Sequence, residues 1–386
     1  MIYINKKKLK YLIKMATSVF CLILAVVCFL NKIPSVIMKN EDKISTVAAG
    51  LVLPDGAKAI ISNGYEKKAS TELSVEVDNV IYDDVEAIQE NNALNSNIEE
   101  SESQVVEEPK ITEISPSETT PADGEATYPI IEKFIGNAGT TYDNFSVKNT
   151  TSLDIDIGKQ LSLKPDINIE KNSQPQVLIM HTHTCEAYMD KDLGYYPESY
   201  YPRTTDNNQN VVRVGEAISQ KLLEDGINVI HDTTVHDNPS YNGSYYRSED
   251  TVKSYLERYP SIQVVLDIHR DAIGNNESGK VKPTFTYDGK KAAQIMIISG
   301  CDDDGTWNFP DWEYNLRFAL RLQNKAETLY PGMTRPLKFC PSQYNMNLTH
   351  GSLLIEVGSD ANTIDEAVYT GELLGNVLKE VLNDLT

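Results

Sequence analysis

Two histidines and a glutamate follow a short apolar run near the middle of the chain. The motif HTHTCE spans His181 to Glu186 and comes directly after Val177–Met180. Catalytic zinc usually takes three nitrogen or oxygen ligands from the protein and keeps a fourth position for water. His183 and Glu186 would supply two of these ligands from one turn of chain. His181 is an alternative to His183, because the two residues alternate at the end of the same predicted strand.

Further chemically useful side chains follow two more predicted strands. His269 follows Ile262–Ile268, and Glu356 follows Ser352–Ile355. In open α/β sheets, binding sites lie at the carboxyl ends of the strands. We therefore expect three strands to bring imidazoles and carboxylates to one edge of a sheet, with His269 as the third zinc ligand.

These residue types predict a hydrolase that uses zinc-activated water. Zn²⁺ lowers the pKa of its bound water to about 7. A carboxylate outside the coordination shell must then take the proton and return it to the leaving group. We assign this general base to Glu356. Asp267, two residues before His269, would orient the ligand imidazole.

Other interpretations of the motif stay open at this point. His-x-His after a first strand is also typical of metallophosphoesterases and amidohydrolases, although these need several later His and Asp ligands. A non-catalytic scaffold is a third possibility, but it would have no use for a general base at Glu356. Cys185 could be a zinc ligand or a nucleophile, but surrounding carboxylates would raise its pKa, which favours a packing role.

The elements around these residues predict an α/β fold. Apolar runs with strand character alternate with helical patterns from residue 177 onward, and Thr363-x-x-Glu366 predicts a capping box that opens the last helix. Such alternation predicts a mostly parallel, twisted sheet with helices on both faces. The predicted strands are 177–180, 227–230, 262–268, 295–299 and 352–357, and the predicted helices are 211–222, 248–259, 311–329 and a final one from 363.

The N-terminal sequence predicts a membrane anchor. Five lysines precede an apolar stretch long enough to span a bilayer as a helix, and they would keep the N-terminus in the cytoplasm. No cleavage site of the Ala-x-Ala kind follows the stretch. We predict a cytoplasmic tail (1–14), a transmembrane anchor (15–37), an acidic linker region (38–127) and an extracytoplasmic catalytic domain (128–386).

Charge and cysteine content limit the possible partners and cross-links. The net charge of −21, from 35 basic and 56 acidic residues, argues against nucleic acid. Outside the anchor, Cys185, Cys301 and Cys340 are spaced too widely for a disulfide framework. One bridge and three buried thiols are both compatible with the sequence.

Four ordered motifs give the chain a family resemblance. From about Phe145 onward it resembles the stage II sporulation protein P family, through HTHTCEAY, NVVRVGEAISQKLLEDGINVIHD, YRSEDTVKSYLERYPSIQVVLDIHRDA and LLIEVGSDANTIDEA. The resemblance implies an anchored, zinc-dependent peptidoglycan hydrolase with the fold of N-acetylmuramoyl-L-alanine amidases. It implies cleavage of the amide between N-acetylmuramic acid and L-alanine, and also of peptide cross-links. It further implies action with stage II sporulation proteins D and M at the membrane that engulfs the forespore.

The resemblance also bears on individual residues. In amidases of this type a glutamate precedes a hydrophobic residue and a glycine, as in Glu356-Val357-Gly358, which supports Glu356. These amidases place their glutamate ligand farther along the chain than Glu186. The corresponding stretch here, residues 206–210, contains no glutamate, so the departure favours Glu186. Arg270 is a candidate to pair with a carboxylate of the substrate peptide.

Overall fold

Thirteen β-strands and five α-helices make up residues 111–386, the part of the chain that the computed structural model describes. The strands are β1 (Thr127–Lys133), β2 (Thr140–Tyr142), β3 (Phe145–Asn149), β4 (Val177–Met180), β5 (Tyr195–Pro197), β6 (Val229–His231), β7 (Val264–Asp271), β8 (Gly274–Asn275), β9 (Gly279–Tyr287), β10 (Lys290–Ala293), β11 (Ile295–Gly300), β12 (Leu337–Cys340) and β13 (Gly351–Ser359). The helices are α1 (Ile157–Ser162), α2 (Val211–Glu224), α3 (Ser244–Arg258), α4 (Trp312–Leu329) and α5 (Ile364–Asn383), with a short 3₁₀ turn at Met346–Leu348.

The larger sheet contains both parallel and antiparallel strands. Its eight strands lie in the order β2-β3-β12-β11-β13-β7-β4-β6. β2 runs antiparallel to β3 and β11 antiparallel to β13, whereas the other neighbours are parallel. The α/β class is confirmed, but the prediction of a mostly parallel sheet is corrected to a mixed one.

The antiparallel direction of β11 follows from the route of the chain. A parallel neighbour requires a crossover connection, usually a helix, and no helix lies between β7 and β11. The chain instead leaves the carboxyl end of β7, forms β8, β9 and β10, and enters β11 from that same edge. The sequence contains this signal, because no helical pattern separates the two predicted strands.

A second sheet lies beside this edge. Its order is β10-β9-β1-β5, with β8 also paired to β9. Hydrogen bonds from Ser359 Oγ to the Val281 carbonyl (2.7 Å) and from Asn362 Nδ2 to the Pro283 carbonyl (3.3 Å) join the end of β13 to β9. None of the strands of this sheet was expected from the sequence.

Helices cover both faces of the larger sheet, but unequally. α1, α2, α4 and α5 contribute side chains to the main core, on the face that carries Ile179, Leu266 and Ile355. On the opposite face, Val252 of α3 packs against Leu178 of β4. Alternation of side chains along each strand separates the two cores.

Local sequence signals fix three of the helix ends. Asn210 caps α2 by accepting a hydrogen bond from the Val212 backbone N–H. Gly226 follows the helix with φ +79°, a conformation that favours glycine. Thr363 and Glu366 form the predicted capping box at the start of α5.

The N-terminal predictions fall largely outside the described residues. The predicted cytoplasmic tail (1–14), the anchor (15–37) and residues 38–110 of the predicted linker region all lie there. Within residues 111–386, none of the helices combines the length and the apolar character needed to span a bilayer. Residues 111–119, which we call the strap, belong to the predicted linker region and hydrogen-bond to Asn238, Thr205 and Asp190.

Candidate active site

Glu356 and His269 lie side by side on neighbouring parallel strands. Glu356 of β13 is the register partner of His269 of β7. Because side chains alternate along a strand, both project from the sheet face that α3 covers, as does Asp267. All three are buried. The structure therefore brings the predicted base close to one predicted ligand, in surroundings that exclude bulk water.

The two ring nitrogens of His269 have different carboxylate neighbours. Nε2 lies 2.9 Å from Asp267 Oδ1, and Nδ1 lies 3.6 Å from Glu186 Oε2. Burial alone would lower the pKa of His269, but the negative charges of Asp267, Glu186 and Glu356 outweigh burial and raise that pKa well above its usual value. Nε2 is thus held by Asp267, and Nδ1 faces the centre of the site.

Asp267 is held as a carboxylate by its surroundings. Its two oxygens accept hydrogen bonds from the Thr182 backbone N–H (2.8 Å) and hydroxyl (2.6 Å). Burial would raise the pKa of Asp267, but the charge of His269 and the hydrogen bonds from His269 and Thr182 lower it to about 2. This is the arrangement expected of a carboxylate that orients a ligand imidazole.

Three aromatic rings surround His183. Its ring stacks on Tyr241 with centroids 4.3 Å apart, and it meets the rings of Tyr245 at 5.6 Å and His269 at 5.3 Å edge-on. Nδ1 of His183 lies 3.3 Å from Ser244 Oγ. A metal ion would therefore be held by Nε2, the nitrogen turned away from Ser244.

A tight turn places Glu186 beside the two histidines. The Glu186 backbone N–H donates to the His183 carbonyl (3.0 Å), so the chain folds back between the two residues. Glu186 Oε2 accepts a hydrogen bond from the Arg270 backbone N–H at 3.0 Å. The structure thus brings His183, Glu186, His269 and Glu356 together.

His181 lies apart from this group. Its Nδ1 is 2.9 Å from the Ile268 carbonyl, and its Nε2 is 3.0 Å from Nε2 of His231. Burial first, and the neighbouring His231 second, lower the pKa of His181 to about 3. A Cβ on Gly215 of α2 would lie 2.9 Å from His181 Nε2, which places this ring against α2 on the opposite face of the sheet.

Arg270 braces the loop that carries Glu186. Its guanidinium donates to the backbone carbonyls of Ala187 (3.3 Å) and Pro202 (2.9 Å), and the residue is buried. These contacts assign Arg270 a supporting position. Its predicted pairing with a substrate carboxylate stays a prediction.

Cys185 lies in surroundings that disfavour a thiolate. Its backbone N–H donates to both carboxylate oxygens of Asp237 at 3.2 Å. Burial, and after it the charge of Asp237, raise the pKa of the Cys185 thiol to about 12. Cys185, Cys301 and Cys340 are all buried free thiols, which supports the packing role over a nucleophile.

Sequence reasoning missed the walls of the site. Tyr241, Ser244 and Tyr245 contact His183, while Arg203 and Asp237 form an ion pair behind Cys185. The aromatic run YNGSYY, from residue 241 to 246, was the available signal for the tyrosines. Nothing in the sequence pairs Arg203 with Asp237, because they come together only through the turn of the loops.

The donor chemistry of His183, Glu186 and His269 fits zinc. Within residues 111–386, no group of three or more His, Cys, Asp or Glu is arranged to hold a metal ion. The distance of 3.6 Å between His269 Nδ1 and Glu186 Oε2 is too long for a hydrogen bond. It is close to the spacing of about 3.4 Å between two ligands of a tetrahedral zinc ion. His183, Glu186 and His269 are thus suitable ligands, and zinc binding itself stays a prediction.

Comparison with known proteins assigns the family. The family model for stage II sporulation protein P matches residues 50–379. The chain belongs to the stage II sporulation protein P family. The protein of that name from Bacillus subtilis (strain 168) is 27% identical over 219 residues, which cover 54% of this chain and 51% of the relative. The match thus spans about half the length of this family member.

Solved structures of amidases also resemble this member of the family. The N-acetylmuramoyl-L-alanine amidase AmiC2 of Nostoc punctiforme is 12% identical, with a TM-score of 0.34, and covers 56% of this chain and 98% of its own. The N-acetylmuramoyl-L-alanine amidase from Clostridium difficile 630 is 12% identical, also with a TM-score of 0.34, and covers 55% of this chain and 97% of its own. Scores this low support no conclusion about activity.

Proposed function

We propose that this sporulation protein P family member is a zinc-dependent peptidoglycan hydrolase. The bond that it cleaves is the amide between N-acetylmuramic acid and L-alanine, with peptide cross-links as a second class of substrate bond. The observation that supports this best is the buried group of His183, Glu186, His269 and Glu356 at the carboxyl ends of β4, β7 and β13. Burying charged side chains costs free energy unless they are paired. A role in core packing alone would not explain such a group, whereas a role in hydrolysis would.

The roles of the side chains follow from their positions. His183, Glu186 and His269 would hold the zinc ion, which lowers the pKa of bound water to about 7 and polarises a carbonyl oxygen. The Asp267 carboxylate lies 2.9 Å from His269 Nε2 and so keeps Nδ1 directed toward the site. Glu356 takes a proton from the attacking water and returns it to the leaving amine of L-alanine. Burial keeps bulk water away from both proton transfers.

The setting of the reaction is part of the same proposal. We infer that a single N-terminal helix anchors the protein in the membrane, and that the catalytic domain acts outside the cytoplasm of the sporulating cell. Its support is the lysine-flanked apolar stretch in residues 6–37. Stage II sporulation proteins D and M are the proposed partners, on the basis of the family alone.

The decisive experiment is product analysis with controlled metal content. Purified full-length protein should release soluble fragments from labelled peptidoglycan, stop after dialysis against a chelator, and recover when Zn²⁺ is added. Mass spectrometry should find new N-terminal L-alanine on the released peptides. Full activity in a zinc-free preparation would contradict the metal assignment, and a product cut only within the stem peptides would contradict the amide assignment.

The same assay separates the alternative functions. A peptidoglycan-binding scaffold would sediment with the cell wall material and release no fragment at any zinc concentration. A metallophosphoesterase or amidohydrolase that uses the HTH motif would leave this amide intact and act on a phosphate ester or a small amide. Either outcome would overturn the proposed function.

A further inference from the structure

The strap pairs with a loop that is itself paired with the Glu186 segment. The Ile114 backbone N–H donates to Thr205 Oγ1 (3.0 Å), and its carbonyl accepts from the Thr205 N–H (3.0 Å) and the Thr204 hydroxyl (2.7 Å). These bonds hold residues 204–205 by backbone and side chain together. Ile114 is the most strongly bound residue of the strap.

That loop supports Glu186 directly. The Thr204 N–H donates to the Cys185 carbonyl (2.8 Å), and the Ala187 N–H donates to the Pro202 carbonyl (3.0 Å). Glu186 and Arg203 face each other in an antiparallel bridge between these two bonds. The strap, the loop of residues 202–205 and the ligand segment of residues 185–187 thus form three hydrogen-bonded layers, and Glu186 lies in the third.

A second set of contacts reaches the same segment from the other side. The Thr112 N–H donates to Asn238 Oδ1 (2.9 Å), and Asn238 Nδ2 donates back to the Thr112 carbonyl (2.8 Å). The preceding residue, Asp237, accepts from the Cys185 N–H at 3.2 Å and is paired with Arg203. The strap therefore joins residues 204–205 to residues 237–238, the two segments that hydrogen-bond to Cys185.

The far end of the strap is fixed beyond Glu186. The Thr119 hydroxyl donates to Asp190 Oδ1 (2.6 Å), and Ser117 Oγ accepts from the Tyr201 N–H (3.1 Å). Between this end and the ligand segment lies a cavity of about 240 Å³, lined by Tyr188 and Tyr200 among others. Hydrogen bonds therefore hold the strap, whereas Ile111, its large apolar side chain at the N-terminal end, is 50% exposed.

We propose that the strap is a positioning segment for Glu186. It fixes the loop pair that orients this carboxylate, and it contributes little to the apolar core. The proposal rests on the proposed function for its catalytic consequence, but its structural part can be tested without it. Removing the strap should leave the domain folded, loosen residues 185–205, and weaken zinc binding by about 10- to 100-fold, the usual effect of losing a partner that orients a metal ligand.

The test uses the full chain with a specific protease sequence inserted between Asp123 and Gly124. These residues form an exposed turn, and a Cβ on Gly124 would meet nothing within 4 Å. After cleavage and removal of the N-terminal fragment, hydrogen exchange of residues 185–205 should accelerate, while the melting temperature should stay within a few degrees. The kcat value and the zinc affinity should fall together, because a displaced Glu186 would hold the zinc ion less well.

Rescue in trans provides the control. A synthetic peptide of residues 108–122 should restore hydrogen-exchange protection, zinc affinity and turnover to the cleaved protein. The same peptide with Ile114→Pro lacks the N–H that binds Thr205 and should restore none of them. Unchanged exchange in residues 185–205 after strap removal, or equal rescue by both peptides, would overturn the proposal.

A second pair of variants covers the case in which cleavage unfolds the domain. Thr119→Val in the uncleaved chain removes the hydroxyl bound to Asp190, and Thr120→Val makes the same change at an exposed neighbour. Only Thr119→Val should speed exchange near residue 190 and weaken zinc binding, by several-fold. Equal behaviour of the two variants would contradict the positioning role. If neither uncleaved variant binds zinc, the proposed function is wrong. Hydrogen exchange alone then tests whether the strap positions residues 185–205.

Discussion

At the residue scale, the position of Glu356 bears on its proposed role as general base. It lies next to His269 across the β7–β13 pairing and is buried, whereas Glu186 is the carboxylate that faces His269 Nδ1. Two carboxylates beside one imidazole can take different roles, one as ligand and one as base. This division leads to different expectations for their substitution.

Glu356→Gln should abolish most of the activity without releasing zinc. The amide keeps the size of the carboxylate and one accepting oxygen but cannot serve as a base, and general acid–base assistance contributes about 10²–10⁴-fold to the rate. Zinc content, melting temperature and turnover should be measured on one preparation. Glu313→Gln, at a half-exposed carboxylate on α4, is the control and should behave as wild type. Unchanged turnover, or loss of zinc, would show that Glu356 is not the base.

The two histidines of the HTH motif should separate in a metal-binding assay. His183→Ala removes a proposed ligand, so zinc should be lost, as it should with Glu186→Ala or His269→Ala. His181→Ala should keep zinc, because both ring nitrogens of His181 are bonded elsewhere, to Ile268 and His231. Zinc loss from His181→Ala with retention by His183→Ala would mean that the two assignments are exchanged.

The sequence allows part of this site to be predicted and leaves part of it hidden. Histidines and carboxylates directly after apolar runs predict a strand-end site, because strand ends meet at one edge of a sheet. The choice between His181 and His183 depends on which face each side chain takes, and that is fixed by α2 packing against β4. The stack of Tyr241 on His183 depends on a loop whose path no local pattern encodes.

At the scale of elements, a buried lysine joins the second sheet to the last helix. Lys282 of β9 is 1% exposed, and its Nζ lies 2.7 Å from Asp192 Oδ2 and 3.0 Å from Glu366 Oε1. Glu366 also forms the capping box of α5. One cation thus connects β9, the loop before β5 and the start of α5.

Lys282→Met should destabilise the protein substantially. It leaves the buried Glu366 carboxylate without its cation, a change that typically costs about 3–5 kcal/mol. Lys291→Met on the neighbouring strand is the matched control, because Lys291 is 49% exposed and its pair with Glu132 should contribute at most about 1 kcal/mol. Urea unfolding of both variants gives the comparison. Similar losses of unfolding free energy would contradict the structural role of Lys282.

Element prediction succeeded where one strand or helix carries its own pattern. The strands that hold the site, β4, β7 and β13, are buried apolar runs, and a capping box in the sequence predicts the start of α5. The sequence does not predict β1, because none of its residues is buried, or β9, because its buried residues follow no regular alternation. Their parallel pairing joins segments about 150 residues apart in sequence, which no local period can reveal.

At the scale of the whole molecule, metal binding should couple to stability. A ligand that binds only the folded state adds about 2.7 kcal/mol at a concentration 100 times its Kd. For a domain of this size, such a gain should raise the melting temperature by roughly 5 °C or more. Differential scanning calorimetry with and without Zn²⁺ should show this rise for wild type and Glu356→Gln. His269→Ala should show none, and an equal rise in that variant would indicate zinc bound elsewhere.

The strap also imposes an order of assembly on the growing chain. Thr112 binds Asn238, 126 residues later in the sequence, and Ile114 binds Thr205, 91 residues later. Synthesis proceeds at about 5–20 residues per second, so the strap waits roughly 6–25 seconds for its last partner. During that interval the HTH motif can be synthesised and can pack at the end of β4 before the strap is bound. All of these partners precede β7 and β13 in the sequence, so the segment around Glu186 can be fixed before the strands that carry His269 and Glu356 have been synthesised.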